Sequence, residues 1–390
     1  MPPKLLFVVA EDWYFWSHRL PIARAALRNG YEVIVATRVR GYGQKIRSEG
    51  FQLIPLRLRR GSYSPLNEFP AIRQLRQIYS NEGPDIVHQV GLKPILYGSI
   101  AALGHKNLQV ISAFGGLGYL GASSSLKAKY LRLAIWNAYR FLLNRPNHHV
   151  LLQNQEDKQL MVAKFKVPVE NIAIIRGSGV DLDLFWPAPE PVGASIVLLA
   201  ARMLWNKGIE EFVEAALILR NKGVTARFAM VGDTDLGSPS AIPRQQLLDW
   251  RGSGVVEWWG HQEEMPRIFK QANLVCLPSH GGEGVPKVLL EAAASGRAIV
   301  AADVPGCREI VRPGINGILV PPRNPVALAA AIEELLRDPE RRLRMGGRGR
   351  EIAANEFSEE TVVHQTLALY RELLMPRALQ LEPSHGPTTK

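Results

Sequence analysis

The strongest constraint in this chain is a rhythm: short apolar, often β-branched runs alternate with helical stretches over most of its length. "KLLFVVA" reads as a buried strand, and "RLPIARAALRNG" as a helix closed by Gly30, because a helix end readily takes glycine in the left-handed region. "EVIVAT", "FQLIPL", "DIVHQV", "QVISAF", "HHVLLQN" and "NIAIIR" follow, with helical stretches between most of them. Such alternation predicts βαβ units and a parallel sheet. Residues 177–195, "GSGVDLDLFWPAPEPVGAS", break the rhythm with Gly, Pro and Ser, and their end reads as a linker. A second series then runs "SIVLLAA", "ARFAMVG", "VVEWWG", "LVCLPS", "AIVAAD" and "GILVPP", and the pattern turns helical after Asn324. A chain of 390 residues exceeds one ordinary core. The expected fold is therefore α/β, with two Rossmann-like domains in tandem over 1–190 and 191–375. The proline-containing, aperiodic tail 376–390 is expected to be mobile.

Charge divides the chain unevenly. Residues 1–190 carry 24 Lys+Arg against 13 Asp+Glu, whereas 191–390 carry 23 of each, so the whole excess of +11 lies in the first half. No acidic residue occurs between Asp85 and Glu156, where Lys93, Lys106, Lys127, Lys129, Arg132, Arg140 and Arg145 accumulate. The first half is expected to meet something anionic. Nucleic acid fits poorly, since half the chain is neutral and no recognised binding motif accompanies the charge. A pyridine-nucleotide dehydrogenase fits poorly too, because neither first strand is followed by Gly-x-Gly-x-x-Gly. The apolar run near the N-terminus is too short for a signal peptide or a membrane span, and Cys276 and Cys307 offer no disulfide framework. A cytoplasmic protein is expected.

In parallel sheets of this kind ligands bind beyond the carboxyl ends of the strands, so the residues after each strand become the candidates. After "SIVLLAA" come Arg202 and Lys207, two cations that would suit a diphosphate, or simply a solvated loop. After "LVCLPS" comes "HGGEGVPKVLLEAAASG". Its glycines allow close backbone approach, Pro286 fits the first helical turn, and the free N–H groups there form an anion site. Lys287 in that turn opposes the helix dipole unless it meets an anion or pairs with Glu291. Glu291, set among "VLL" and "AAA", is expected to be partly buried and to need donors such as sugar hydroxyls.

At these residues the chain resembles retaining glycosyltransferases of family 4, which have the GT-B fold. The resemblance rests on "ARMLWNKGIEEFVEAA", "FAMVGD", "VVEWWGHQEEMPRIFKQANLVCLPS", "EGVPKVLLEAAASGRAIVAADVPGCREIV", "NGILVPP" and "LALY", covering 195–375. It is looser in the first half, through "LPIARAALRNGYEVIVAT", "DIVHQVGLKP" and "GSGVDLDLF". Within the family the chain looks most like bacterial enzymes that build surface polysaccharides on a lipid carrier. The resemblance implies two sheets facing a central cleft, an N-terminal acceptor domain and a C-terminal nucleotide-sugar domain, whose last helices cross back. It implies that Glu291 binds the ribose hydroxyls and that Glu283 lies against the donor sugar near the reacting centre. Arg202 and Lys207 would hold the diphosphate with the backbone of Gly284, Val285, Lys287 and Val288. Gly232 and the residues around Trp259, Gly260 and His261 would serve the nucleotide end. Transfer from a nucleotide sugar, UDP-linked by resemblance, to a lipid-linked or glycan acceptor is the implied reaction. Retention by a front-face path needs no protein nucleophile, and Glu283 is not assigned as one. An epimerase or hydrolase of nucleotide sugars on the same fold is the alternative.

The chain departs from the family where many members have a glycine pair after the first strand and a histidine after the strand matching "QVISAF". Here stand "EDWYFWSHR" and "FGGLGYLG". His88 and His18 become the substitute candidates for touching the acceptor, His88 also as a catalytic group, with Gly116 of the Gly115-Gly116-x-Gly118 loop beside them. Asp233 and Asp235 form an Asp-x-Asp that a metal could use, but a ribose or structural role is expected, with no cofactor required. Residues 123–145 combine helical spacing, Tyr130, Trp136, Tyr139, Phe141 and five cations without an acid. That pattern suits either a core helix with a basic stripe or a helix lying on an anionic membrane, which a lipid-diphosphate acceptor would explain.

Overall fold

The computed structural model describes residues 1–58, 65–117, 126–235 and 237–375, excluding the side chains of 65–67 and 126–132. The tail 376–390 and Gly118 lie outside the described residues. The first sheet contains β1 (Lys4–Glu11), β2 (Glu32–Arg38), β3 (Gln52–Pro55), β4 (Ile86–Val90), β5 (Gln109–Ala113), β6 (His148–Leu152) and β7 (Ile172–Ile174). They lie in the order β3-β2-β1-β4-β5-β6-β7, parallel at every pairing. The second contains β8 (Ile196–Ala200), β9 (Arg227–Val231), β10 (Glu257–Gly260), β11 (Leu274–Leu277), β12 (Ala298–Ala302) and β13 (Gly317–Val320). Its order is β10-β9-β8-β11-β12-β13, again all parallel.

Helices cover both faces of each sheet, which is why the central strands read as continuous apolar runs rather than alternating ones. All five residues of β8 are buried, as are all five of β12. Leu198, Ala200 and Val275 face one core of the second domain, while Val197, Leu199 and Cys276 face another. Local capping agrees with this layout: Asn324 accepts from Ala327 N at 2.9 Å before the helix Pro325–Arg337.

In both sheets the first strand is central, and the chain winds outward to one side of it before returning to the other. This puts one topological switch point between β1 and β4, and another between β8 and β11. The helix Glu359–Leu374, capped by Ser358, returns to the first domain, where Val362, Leu367, Tyr370 and Leu373 join the core around Phe7 and Phe15. The connecting segment is anchored as well: Arg342, nearly fully buried, donates from Nη2 to Glu190 Oε2 at 2.5 Å and from Nε to Oε1 at 3.0 Å.

Candidate active site

The two switch points face each other across one cleft, whose cavity measures about 620 Å³. From the first domain Glu11, Trp13, Tyr14, His18 and Lys93 line it, at the carboxyl ends of β1 and β4. From the second come Arg202, Lys207 and the run Gly282–Val288, after β8 and β11. The strand-end rule thus brings Arg202, Lys207, Glu283, Gly284, Val285, Lys287, Val288 and His18 onto one cavity.

Each cation of this group already has a partner. Lys207 makes an ion pair with Glu283, the two side chains being 12% and 25% exposed, and Ser279 Oγ donates to Glu283 Oε1 at 2.8 Å. Burial alone would raise the Glu283 carboxyl, but Lys207, Ser279 and Arg202 more than offset it and hold it below its ordinary value. Glu283 is therefore ionised and fixed in place. Arg202 donates from Nη1 to Asp235 Oδ2 at 2.7 Å and lies 6.0 Å from the Trp13 ring centroid across the cleft. The Asp-x-Asp thereby finds an arginine for each carboxylate, since Asp233 faces Arg244 at 3.5 Å. Lys287 does not form an ion pair with Glu291; its Nζ donates to Ser17 O of the first domain at 2.6 Å.

The loop before the helix Lys287–Ala294 is clamped between the domains. Gly284 N donates to Gly115 O at 2.6 Å, and Val285 N donates to Gln153 Oε1 at 2.7 Å. Two amides that the sequence offered to a phosphate are thus engaged by protein, leaving those of Lys287 and Val288 without a partner among the described residues. Pro286 is the N-cap rather than a first-turn residue. Gly116, expected beside the acceptor, instead packs on this loop at φ 118°, where an added Cβ would lie 2.4 Å from Glu283 C. It does not line the cavity.

His88 is the main correction. It is fully buried in β4, its Nδ1 lies 2.6 Å from the Tyr370 hydroxyl, and its Nε2 has no partner among the described residues. It borders a void of about 10 Å³, room for a single water, and does not line the cleft. In this arrangement His88 faces the core around Tyr370 and not the cleft, so the structure lends no support to a catalytic or acceptor contact through it. His18 does line the cavity, stacked on Tyr14 at 4.1 Å with its Nδ1 2.6 Å from Ser17 Oγ. Burial first, then Lys287, Arg19 and Arg202, push its pKa well below 6.5, so the ring is neutral at pH 7.

The remaining expected residues stand back from the cavity wall. Glu291 is half-buried, with its carboxyl raised to about 7 by burial; Lys287 opposes that rise and Glu359 adds to it. Gly232 serves packing: an added Cβ would fall 1.9 Å from Ala201 O, and its own N donates to Gly260 O at 2.8 Å. Trp259 donates from Nε1 to Glu257 Oε2 at 2.8 Å, and His261 is exposed. In the helix Leu126–Leu143 the aromatic residues divide: Tyr139 is buried and donates to Leu92 O at 2.8 Å, Trp136 packs on the same core, and Phe141 is exposed. The side chains of Tyr130, Lys127, Lys129 and Arg132 lie outside the described residues.

Sequence reasoning missed Gln153, which follows β6 directly and would have been found by applying the strand-end rule to "HHVLLQN". It also missed Glu11, which closes β1 with a buried carboxylate 3.6 Å from Arg38 and Arg40.

A family model described as Glycosyl transferases group 1 matches residues 194–338, and one described as Glycosyl transferase 4-like matches 4–152. Over 372 residues the chain is 28% identical to the N,N'-diacetylbacillosaminyl-diphospho-undecaprenol alpha-1,3-N-acetylgalactosaminyltransferase of Campylobacter jejuni, covering 92% of this chain and 96% of that protein. Among solved structures, sucrose-phosphate synthase of Thermosynechococcus elongatus superposes with a TM-score of 0.78 at 22% identity, over 95% of this chain and 99% of that one. HepE of Anabaena, solved with UDP and glucose, gives 0.76 at 18% identity, over 95% and 99%. The structural likenesses establish the GT-B fold, and the family models between them span both domains and the cleft that joins them. The chain belongs to the GT-B glycosyltransferases, those with a glycosyltransferase 4-like first domain and a group 1 second domain.

Proposed function

We propose that the chain transfers a hexose or N-acetylhexosamine, with retention, from a UDP-linked donor to a lipid-linked or glycan acceptor in the building of a bacterial surface polysaccharide. The observation that carries this reading is the meeting, on one cavity, of Arg202, the Lys207–Glu283 pair and the N-terminus of the helix Lys287–Ala294. The Campylobacter relative is named for a lipid-linked diphosphate acceptor, and HepE was solved with UDP and glucose.

In the proposed reaction the bond between the anomeric carbon and the diphosphate oxygen breaks, and a bond from the acceptor hydroxyl oxygen forms on the same face. The hydroxyl proton passes to the leaving phosphate oxygen, so no protein base or nucleophile is needed. Negative charge grows on the diphosphate as it leaves. Arg202, Lys207 and the amides of Lys287 and Val288 are set to receive it, and groups fixed beforehand spend little energy reorganising. The helix dipole adds roughly 0.3–1 kcal/mol. Ionised Glu283 lies where it can face the cationic character of the sugar, and neutral His18 faces the acceptor side. Glu291 is assigned to the ribose, reaching it once the donor seats. The reading requires no metal, because the cations and amides supply the counter-charge. No specific observation favours an epimerase or hydrolase.

Membrane contact is part of the proposal. Among the described residues no helix is long and apolar enough to cross a membrane. Exposed Leu133 and Phe141 on the basic helix Leu126–Leu143 support a peripheral seat at the inner membrane face, close to a lipid-borne acceptor. Vesicle binding that survives neutralisation of Lys127, Lys129 and Arg132 would remove this part.

The test is ligand-observed nuclear magnetic resonance with UDP-glucose, UDP-N-acetylglucosamine, UDP-N-acetylgalactosamine and GDP-mannose. Wild type is compared with Arg202→Ala and Glu291→Ala. One UDP-sugar should bind and weaken at least tenfold in Arg202→Ala. Absence of binding by folded wild-type protein would overturn the reading, and unchanged binding in Glu291→Ala would remove the ribose assignment alone.

A further inference from the structure

We infer that Gln153, a residue of the first domain, is a positioning residue for transfer: it sets the Glu283 loop of the second domain against the acceptor side. The inference rests on the donor-site reading above and adds a residue of the first domain, at the carboxyl end of β6, that the donor-site reading does not use.

Gln153 follows β6, is 9% exposed, and lines the cleft beside Gly115. Its Oε1 accepts from Val285 N at 2.7 Å in a buried contact that spans the two domains. The intervening Gly284 is required by that contact, because an added Cβ would lie 2.1 Å from the same Oε1. One residue earlier on the other side, Gly115 O accepts from Gly284 N at 2.6 Å, and Gly116 packs against the backbone of residues 282–284. Two consecutive amides of the loop are therefore held by the first domain, and Glu283 immediately precedes them.

This division has a consequence for the chemistry. The cations that border the cavity, Arg202 and Lys207, and the amides of Lys287 and Val288 that a diphosphate would meet all belong to the second domain. Donor binding can proceed without Gln153. Transfer cannot do so equally well, because the acceptor approaches from the first domain and the angle of attack depends on how the loop is seated against it. Misplacement of reacting atoms by about 1 Å can cost on the order of 100-fold in rate. Loss of the Gln153 contact should therefore appear in kcat rather than in donor KM. Glu at this position keeps an acceptor for Val285 N and should restore function where Leu cannot.

Two measurements on the full chain test this. In the first, amide hydrogen exchange is followed over residues 281–290 without ligand. Wild type and Gln153→Glu should protect Gly284 and Val285, and Gln153→Leu should exchange there at least tenfold faster, measured well below its melting temperature, which falls by no more than the few degrees one unsatisfied buried amide costs. In the second, kcat for transfer should fall at least tenfold in Gln153→Leu, with donor KM within threefold, and recover most of the loss in Gln153→Glu. Should Gln153→Leu fail to fold, Gln153→Ala replaces it in both arms. Unchanged exchange in the Leu variant overturns the clamp. Faster exchange with unaltered kcat, or a loss confined to KM, overturns the positioning role. The exchange arm needs no substrate, so failure of the donor assignment cannot be mistaken for failure of the clamp.

Discussion

Replacement of Tyr370 by Phe separates the structural from the catalytic account of His88. The hydroxyl of Tyr370 lies 2.6 Å from His88 Nδ1, both residues are fully buried, and their rings meet edge to face at 5.9 Å and 88°. Deleting one oxygen opens little space, so packing changes little. What changes is hydrogen bonding, since a ring nitrogen inside the core loses its partner. Burial and Arg19 already push the His88 pKa well below 6.5, so the ring stays neutral and no charge is stranded. Leaving one neutral buried group unsatisfied costs about 1–3 kcal/mol. For a chain of two domains of this size that corresponds to roughly 2–10 °C in melting temperature. The variant should therefore melt several degrees earlier by scanning calorimetry, in the transition that includes the first domain. Because His88 does not line the cleft, kcat for sugar transfer at 25 °C should stay within twofold of wild type. A tenfold fall in kcat at an unchanged melting temperature would refute this reasoning and return His88 to the reaction.

Two further predictions concern carboxylates and pH. Glu291 has its pKa raised to about 7 in the fold against an ordinary 4.5, so the folded state keeps the proton longer than the unfolded one. Stability relative to Glu291→Gln should then fall as pH rises from 4.5 through about 7, and a melting-temperature difference flat across that window would contradict the buried setting. Asp12 behaves in the opposite sense. Burial alone would raise its pKa, but its Oδ2 accepts from the N–H groups of Arg40, Gly41 and Tyr42 at 2.7, 2.9 and 2.8 Å, and the net result is a lowered value. Its contribution should be complete above pH 3.8 and lost as pH falls through the lower folded value, and Asp12→Ala should cost about 3 kcal/mol in denaturant unfolding at pH 7. An Asp12→Ala protein as stable as wild type would show that the loop after β2 does not depend on these bonds.

Much of this protein is legible in the bare chain. Runs such as "SIVLLAA" and "AIVAAD" must be covered on both faces, and only a parallel sheet between helices does that for so many short strands. Once the sheets are parallel, the carboxyl-end rule alone carries Arg202, Lys207, Glu283 and Lys287 to the cleft, because it depends on strand direction and not on detail.

The tertiary structure decided what local pattern cannot encode. A strand buried on both sides gives no sign of which cover a given residue will meet, so "DIVHQV" could not say that His88 points to Tyr370, 282 positions away, and not to the cleft. Apolar runs also say nothing about which cation takes which carboxylate. The pairing of Lys207 with Glu283 and of Arg202 with Asp235 is fixed by loops from different strands meeting at one edge. The same holds for Gln153 and Val285, 132 positions apart and in different domains, whose hydrogen bond exists only once the two sheets have docked. Sequence sets burial and strand direction because both follow from short-range hydrophobic pattern. Contacts between residues remote along the chain follow only from packing, and this site is made of them.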